Sequence, residues 1–431
     1  MQKFAISAIL RLEKASVAAP YQPLKGHDHV PTKPDPTAVS IARGNDEGSD
    51  EALPMLWHMA ERAIDRALFA AFAKAASPNT LRAFRGDVLA FDDWCRAQGV
   101  PVLPATPQAV AGFLSERGRA GGAPASLARY KASITKLHKL CRAPDPCQDE
   151  LVKLTVAAHR RDVGSAQRQA RPLRFRGSVK DPLSDTPRGI NIRAALSTCG
   201  DTPPELRDKA LLSIAYDTGL RASELVAVNV DDVIEALDPE ARLLRIRRSK
   251  GDQEGEGATA YLSPRSVAAL QAWLKRAEIS EGPVFRRVIV RRYAARAAAK
   301  VRNSAPLRWN GQWDGPLFVT KAAKAAQVEF DIGTKALHPH SVTPIFRRML
   351  ARAFECGAFG DLDRATFETQ LAEISAHSTR VGINQDYFAS GENLAGIMDA
   401  LRWKSPRMPL HYNRNLAAEY GAAGRLLGKM S

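Results

Sequence analysis

The 431-residue chain has no Cys-x-x-Cys pair. Its five cysteines, Cys95, Cys141, Cys147, Cys199 and Cys356, are scattered and odd in number. That speaks against a disulfide framework or a thiolate zinc site and fits reduced thiols in a cytoplasmic protein. No apolar run approaches the ~20 residues needed to span a membrane. The short apolar stretch at 4–10 meets Arg11, Glu13 and Lys14 at once and makes a poor signal peptide. Internal repeats and long low-complexity tracts are missing. Carboxylates are not grouped either: the adjacent pairs Asp92-Asp93 and Asp231-Asp232 lack metal-site spacing, so neither a metal nor a cofactor is expected.

Charge of one sign is in excess. Lys and Arg number 62 against 46 Asp and Glu, giving a net charge of +16 and a pI near 9.8. Such a surplus attracts polyanions, of which nucleic acid is the commonest, and a merely basic soluble protein is the plain alternative. The planar arginine fork holds phosphate at two points. The expected place is a bacterial-type cytoplasm and nucleoid, with no membrane partner. The length suggests two or three domains.

Residues 1–53 hold Pro20, Pro23, Pro31, Pro34 and Pro36 with little periodicity, and read as a flexible arm. From 54 to 163 the pattern is helical. Ser77-Pro78-Asn79-Thr80 is a cap with proline in the first turn, and Leu81, Phe84, Val88, Phe91 and Trp94 follow at helical spacing. Thr106-Pro107 opens a second helix that Gly121-Gly122 closes. A third is expected over 126–140 and a fourth over 150–161. The third has a basic face of Arg129, Lys131, Lys136 and Lys139. With Arg82 and Arg85 these are candidate DNA contacts, and a solvated surface explains them equally well. Residues 164–182 are irregular and cationic, with Arg168 and Arg171 among them. They read as a linker along a phosphate backbone. From 183 to 415 the pattern is mixed. A helix over 206–219, a strand over 243–249 returning at 259–262, and helices near 264–277, 341–356, 364–375, 378–389 and 393–401 are expected. Residues 284–336 resist assignment. The tail 416–431 is weakly amphipathic, with Leu416, Tyr420, Leu426 and Leu427 on its apolar side. The fold class is therefore mainly α with a small β-hairpin.

Displacement at phosphorus needs a nucleophile, neutralised non-bridging oxygens, a base and an acid. Arg221 follows an apolar helix in Gly219-Leu220-Arg221-Ala222-Ser223-Glu224-Leu225, and Glu224 lies one turn on to orient it; an ordinary surface ion pair has the same pattern. His377 and Arg380 share a helix face at a helix start, where free N–H groups favour an anion. Lys250, where the strand runs into the turn, is a mobile ammonium able to protonate a leaving oxygen. Trp403 offers an indole N–H with no acceptor. Tyr412, nine residues later, offers a phenol whose phosphoester retains the energy of the phosphodiester, so rejoining needs no nucleotide. Trp403 and Tyr412 taken singly read as core residues.

Taken in order, Arg221 in its Gly-Leu-Arg-x-x-Glu-Leu box, Lys250, His377-x-x-Arg380, Trp403 and Tyr412 make the chain resemble the tyrosine recombinases. That is the family of phage integrases and the Xer-like and Cre-like enzymes. The hairpin at Ser249-Lys250 and the segment Asn79–Phe84 add to the likeness, which covers about 54–420. It implies a helical core-binding domain over 54–163 and a mixed catalytic domain over 183–415. It implies strand cleavage by Tyr412, leaving a 3′-phosphotyrosine and a free 5′ hydroxyl, at inverted-repeat core sites of double-stranded DNA. A dimer per site, a homotetramer on DNA and accessory proteins also come with it. Trp403 stands where histidine is more frequent. A type IB topoisomerase, which nicks and reseals one duplex, is the first rival. A DNA-binding regulator with an inactive site is the second.

Overall fold

The structure, a computed structural model, describes residues 65–430 apart from 165–168, 179–181, 184–185, 248–256, 303–317, 415, 418–420, 422–423, 425–426 and 428–429. The arm at 1–53, Arg168 and Lys250 lie outside the described residues. The chain divides into two compact units, with the boundary after Gln167.

The first unit is helical. Helices α1 (Arg66–Ala75), α2 (Pro78–Gln98), α3 (Pro107–Arg119), α4 (Pro124–Leu140) and α5 (Glu150–Val163) follow in order. Ser77 and Thr106 cap α2 and α3 through their hydroxyls, each with proline in the first turn, and Gly99 ends α2 in the left-handed region at φ 66°. The apolar stripes meet in one core around Phe91, Phe113, Leu127 and Ile134. Its rings pack edge to face, Phe91 on Phe113 at 5.2 Å and Phe113 on Tyr130 at 5.2 Å. Buried His138 accepts from the Ala105 N–H through Nε2 at 3.0 Å and donates from Nδ1 to the Ile134 carbonyl at 2.9 Å. Burial holds its pKa down. Helix α1 was not foreseen as a separate element, because its Ala-rich sequence has no turn signal before Asp65.

The second unit is mixed. It holds α6 (Ile192–Ser197), α7 (Pro203–Thr218), α8 (Ala222–Val226), strands β1 (Val233–Glu235), β2 (Arg242–Ile246) and β3 (Ala258–Leu262), and α9 (Pro264–Arg276). Strands β4 (Arg286–Tyr293), β5 (Ala299–Arg302), β6 (Phe318–Lys321) and β7 (Gln327–Ala336) follow. After them come α10 (Val342–Glu355), α11 (Arg364–Ala372), α12 (Ser378–Ala389), α13 (Leu394–Ala400) and α14 (Arg407–Asn413). β1, β2 and β3 form an antiparallel sheet with Val233 opposite Leu244 and Leu244 opposite Ala260. Its inward residues join the core of α7, α9, α10 and α12. Trp273 is fully buried there and donates from Nε1 to the Val284 carbonyl at 2.8 Å. β1 went unread because three residues carry no period. The described residues of the unassigned region form a ribbon, with β4 pairing β7 and β5 pairing β6.

The linker reading differs from the structure over 169–176. Leu173 is buried in the second unit's core, and its N–H donates to the Ser378 carbonyl at 2.9 Å. Arg174 forms a buried ion pair with Asp386 at 2.5 Å. Arg171 pairs with Glu373 at 3.4 Å. Cationic composition says nothing about which side chains find a buried partner. Among the described residues no helix is long and apolar enough to cross a membrane.

Candidate active site

Helix α7 ends at Gly219, which takes φ 57° and leaves no room for a side chain: a Cβ would stand 2.8 Å from Leu401. The turn delivers Arg221 to the start of α8. The Arg221 N–H donates to Glu224 at 3.0 Å and its guanidinium does so at 2.7 Å, so one carboxylate fixes both ends of the residue. Burial pushes the Glu224 carboxyl up, but its bonds from Arg221 and the charge of Arg380 leave it below the usual value. It stays ionised.

His377 stands at the N-cap position of α12 and Arg380 one turn in. Arg380 is 3% exposed and donates to the Gly219 carbonyl at 2.5 Å and the Leu401 carbonyl at 3.4 Å. Its guanidinium carbon lies 4.9 Å from the centre of the Trp403 ring. Burial, then the neighbouring Arg221, brings its pKa down to about 10, so it remains a cation at neutral pH.

Tyr412, in α14, closes the set. Its phenol oxygen lies 2.5 Å from His377 Nε2, and its ring centre lies 5.5 Å from the imidazole and 5.6 Å from the Trp403 ring. Burial raises the phenol's pKa, against the pull of Arg380 and Arg221. Burial and the same two guanidiniums push His377 down to about 4. The imidazole is therefore neutral, and with its proton on Nδ1 it accepts from the phenol. Tyr412 is 4% exposed.

Five of the six expected catalytic positions thus converge: Arg221, His377, Arg380, Trp403 and Tyr412. Lys250 lies outside the described residues. Sequence reasoning missed three further contributors. Gln385 donates to the Tyr412 carbonyl at 3.0 Å and Gln169 does so at 3.3 Å, holding the backbone of the phenol. Arg402, at φ 55°, donates to the Thr218 carbonyl at 2.7 Å and sets a third guanidinium near Arg221 and Glu224. No single-sequence spacing marks them. Among the described residues no group of three metal-ligating side chains occurs.

In the first unit, exposed Arg129 is ion-paired to buried Asp87 and lies 5.2 Å from the Tyr130 ring centre. Arg82 donates to Asn79 at 2.7 Å. Lys136 sits over the Phe72 ring at 5.2 Å, Lys131 is half-buried, and Arg85 and Lys139 are exposed.

Two units, one all-helical and one gathering cations and a phenol, have the layout of an enzyme that works on phosphodiesters. The chain belongs to the phage integrase family. It matches that family over residues 188–354, and the family's N-terminal SAM-like domain over 69–143. The family match ends before His377, so the second half of the site rests on geometry. The chain is 30% identical over 223 residues to an integrase/recombinase xerD homolog of Selenomonas ruminantium, covering 49% of this chain and 60% of that relative. It is 24% identical over 338 residues to the Recombinase cre of Escherichia phage P1, covering 78% and 83%. Its fold resembles a XerH site-specific recombinase bound to palindromic difH substrate in a post-cleavage complex. The TM-score is 0.50 at 12% identity, over 99% of this chain and 95% of that one.

Proposed function

We propose that this chain is a site-specific recombinase that cleaves and rejoins strands of double-stranded DNA through Tyr412. The observation that carries the reading is the 2.5 Å contact between His377 Nε2 and the Tyr412 hydroxyl, beside two guanidiniums. The phenol oxygen attacks phosphorus, and its proton passes to His377 Nε2. The bond to the 5′ oxygen breaks, and Lys250 supplies that oxygen's proton. A 3′-phosphotyrosine and a free 5′ hydroxyl result. Attack by the 5′ hydroxyl of a partner duplex reverses the step and joins the new strand.

Arg221, Arg380 and the Trp403 indole N–H are assigned to the non-bridging oxygens, where fixed donors stabilise developing charge most. An incoming phosphate also opposes the two guanidiniums that depress His377, and so strengthens the base when substrate arrives. The proposed partner is duplex DNA with inverted-repeat core sites, bound by a dimer per site and a homotetramer in all.

The test uses duplexes built from short inverted repeats sought in the DNA flanking the gene. Tyr412→Phe is expected to lose the detergent-resistant protein–DNA adduct while its gel shift stays largely intact. An undiminished adduct in that variant overturns the assignment. Relaxation of a plasmid without exchange between two sites replaces recombination with nicking and resealing.

A further inference from the structure

The ribbon between Phe285 and Leu337 takes no part in the site just described. Its root is fixed, since the Leu337 N–H donates to the Phe285 carbonyl at 2.8 Å and Val288 and Ile332 pack against the core. Beyond the root, the pairs Val288↔Ile332, Tyr293↔Gln327, Arg296↔Lys324, Ala299↔Lys321 and Arg302↔Phe318 keep one offset. β4 with β5 and β6 with β7 are therefore one antiparallel ladder, about 45 Å long at ~3.3 Å per residue. Its residues are mostly exposed.

Charge divides between the two faces. Residues 286–302 hold six arginines, one lysine and no carboxylate. Strand alternation puts Arg292, Arg296 and Lys300 on one face, with Lys324 across from Arg296. The two acids of the return strand fall on the other face: Asp331 pairs with Arg291 at 3.3 Å, and Glu329 stands opposite Arg291 in register. Arg292, Arg296, Lys300 and Lys324 are exposed, and among the described residues none has a side-chain ion pair. Ala294, Ala298 and Ala322 lie between them, while Val328 stands across from Arg292 and Thr320 across from Lys300. Such a row costs self-repulsion in the free protein, which a polyanion relieves.

We propose that this face is a second DNA-contact surface, which lies along the phosphate backbone of a duplex away from the scissile phosphate. The choice of DNA rests on the strand-transfer reading above. Four-residue steps set Arg292, Arg296 and Lys300 about 13 Å apart, so each meets its own phosphate. The face carries neither Asn nor Gln, and its contacts position the duplex rather than read adenine.

The test compares the full chain with the quadruple variant Arg292→Gln, Arg296→Gln, Lys300→Gln, Lys324→Gln on a labelled duplex of about 40 base pairs. The control is Arg291→Gln with Lys321→Gln on the opposite face. Four lost phosphate contacts reduce the slope of log affinity against log salt by about 3.6, at ~0.9 per contact. Between 50 and 200 mM salt the quadruple variant then loses roughly 100-fold less affinity than the wild type. The control is expected to shift the slope by less than about 1. An unchanged slope in a quadruple variant with wild-type thermal unfolding overturns the proposal. So does an unchanged slope accompanied by lost self-association in sedimentation, which assigns the face to a second copy. The Tyr412 adduct is scored separately on the same duplex. Its absence from the wild type sinks strand transfer while the salt slopes still decide the ribbon.

Discussion

A neutral imidazole against a buried phenol is an arrangement that pH should expose. His377 has its pKa pushed to about 4 by burial and by Arg380 and Arg221, whereas an ordinary histidine titrates near 6.5. The sign follows directly. The folded-state value lies below the unfolded one, so the neutral form's contribution to stability is present above about 6.5 and is lost as pH falls toward about 4. Under limiting DNA, adduct formation reports the free protein. Its rate is expected to hold down to about pH 5 and to fall with a limb near 4. A limb centred at 6.5 removes His377 as the base. At the leaving group, Lys250→Ala is expected to slow cleavage of an ordinary strand and to be rescued by a substrate whose 5′ oxygen departs more easily. Absence of rescue removes its acid role.

At the scale of elements, α12 is the part that must not move, since it carries both His377 and Arg380. The segment at 171–175 lies directly on it. A Cβ at Gly382 would stand 2.0 Å from the Leu173 carbonyl, which puts backbone against backbone with no side chain to yield. Gly382→Ala is therefore expected to cost about 3 kcal/mol or more in urea unfolding of the second unit, at the high end of overpacking. Asp386, four residues on, accepts from Arg174 at 2.5 Å, from Tyr216 at 2.6 Å and from the Phe175 N–H at 3.0 Å. Removing that carboxylate in Asp386→Ala breaks the buried ion pair with Arg174 and takes the acceptor from Tyr216 and the Phe175 N–H together, an effect of about 3–5 kcal/mol. A wild-type unfolding midpoint in either variant contradicts the packing described. The linker reading fails at this scale because arginine serves phosphate and buried carboxylate alike.

At the scale of the whole molecule, the cationic surplus and the convergence of fixed donors point to one strategy. In the proposed reaction, charge on the phosphate is met by the guanidiniums of Arg221 and Arg380. Adduct formation is expected to persist unchanged in EDTA. Strict dependence of cleavage on magnesium contradicts a site built on Arg221 and Arg380. In the second proposal, the ribbon extends the same logic to phosphates away from the scissile one. Its length has no explanation in the site itself.

The amino-acid sequence by itself determined most of the longer helices of both units, though not α1, α6 or α14, because caps such as Ser77 and Thr106 and stripes such as Phe84, Val88 and Phe91 act within a few residues. It also determined which residue types stand at the proposed nucleophile and phosphate positions, since Arg221, His377, Arg380, Trp403 and Tyr412 occur in a legible order. Only the tertiary structure decided that Tyr412 and His377 meet at 2.5 Å, that Gln385, Gln169 and Arg402 join them, and that Arg174 is spent on Asp386. It also decided that residues 286–302 and 318–336 form a ribbon with Arg292, Arg296, Lys300 and Lys324 on one face. The physical reason is range. Caps and hydrophobic periods are set by neighbours along the chain, whereas an ion pair, a proton's acceptor or a strand's partner is set by residues tens to hundreds of positions away.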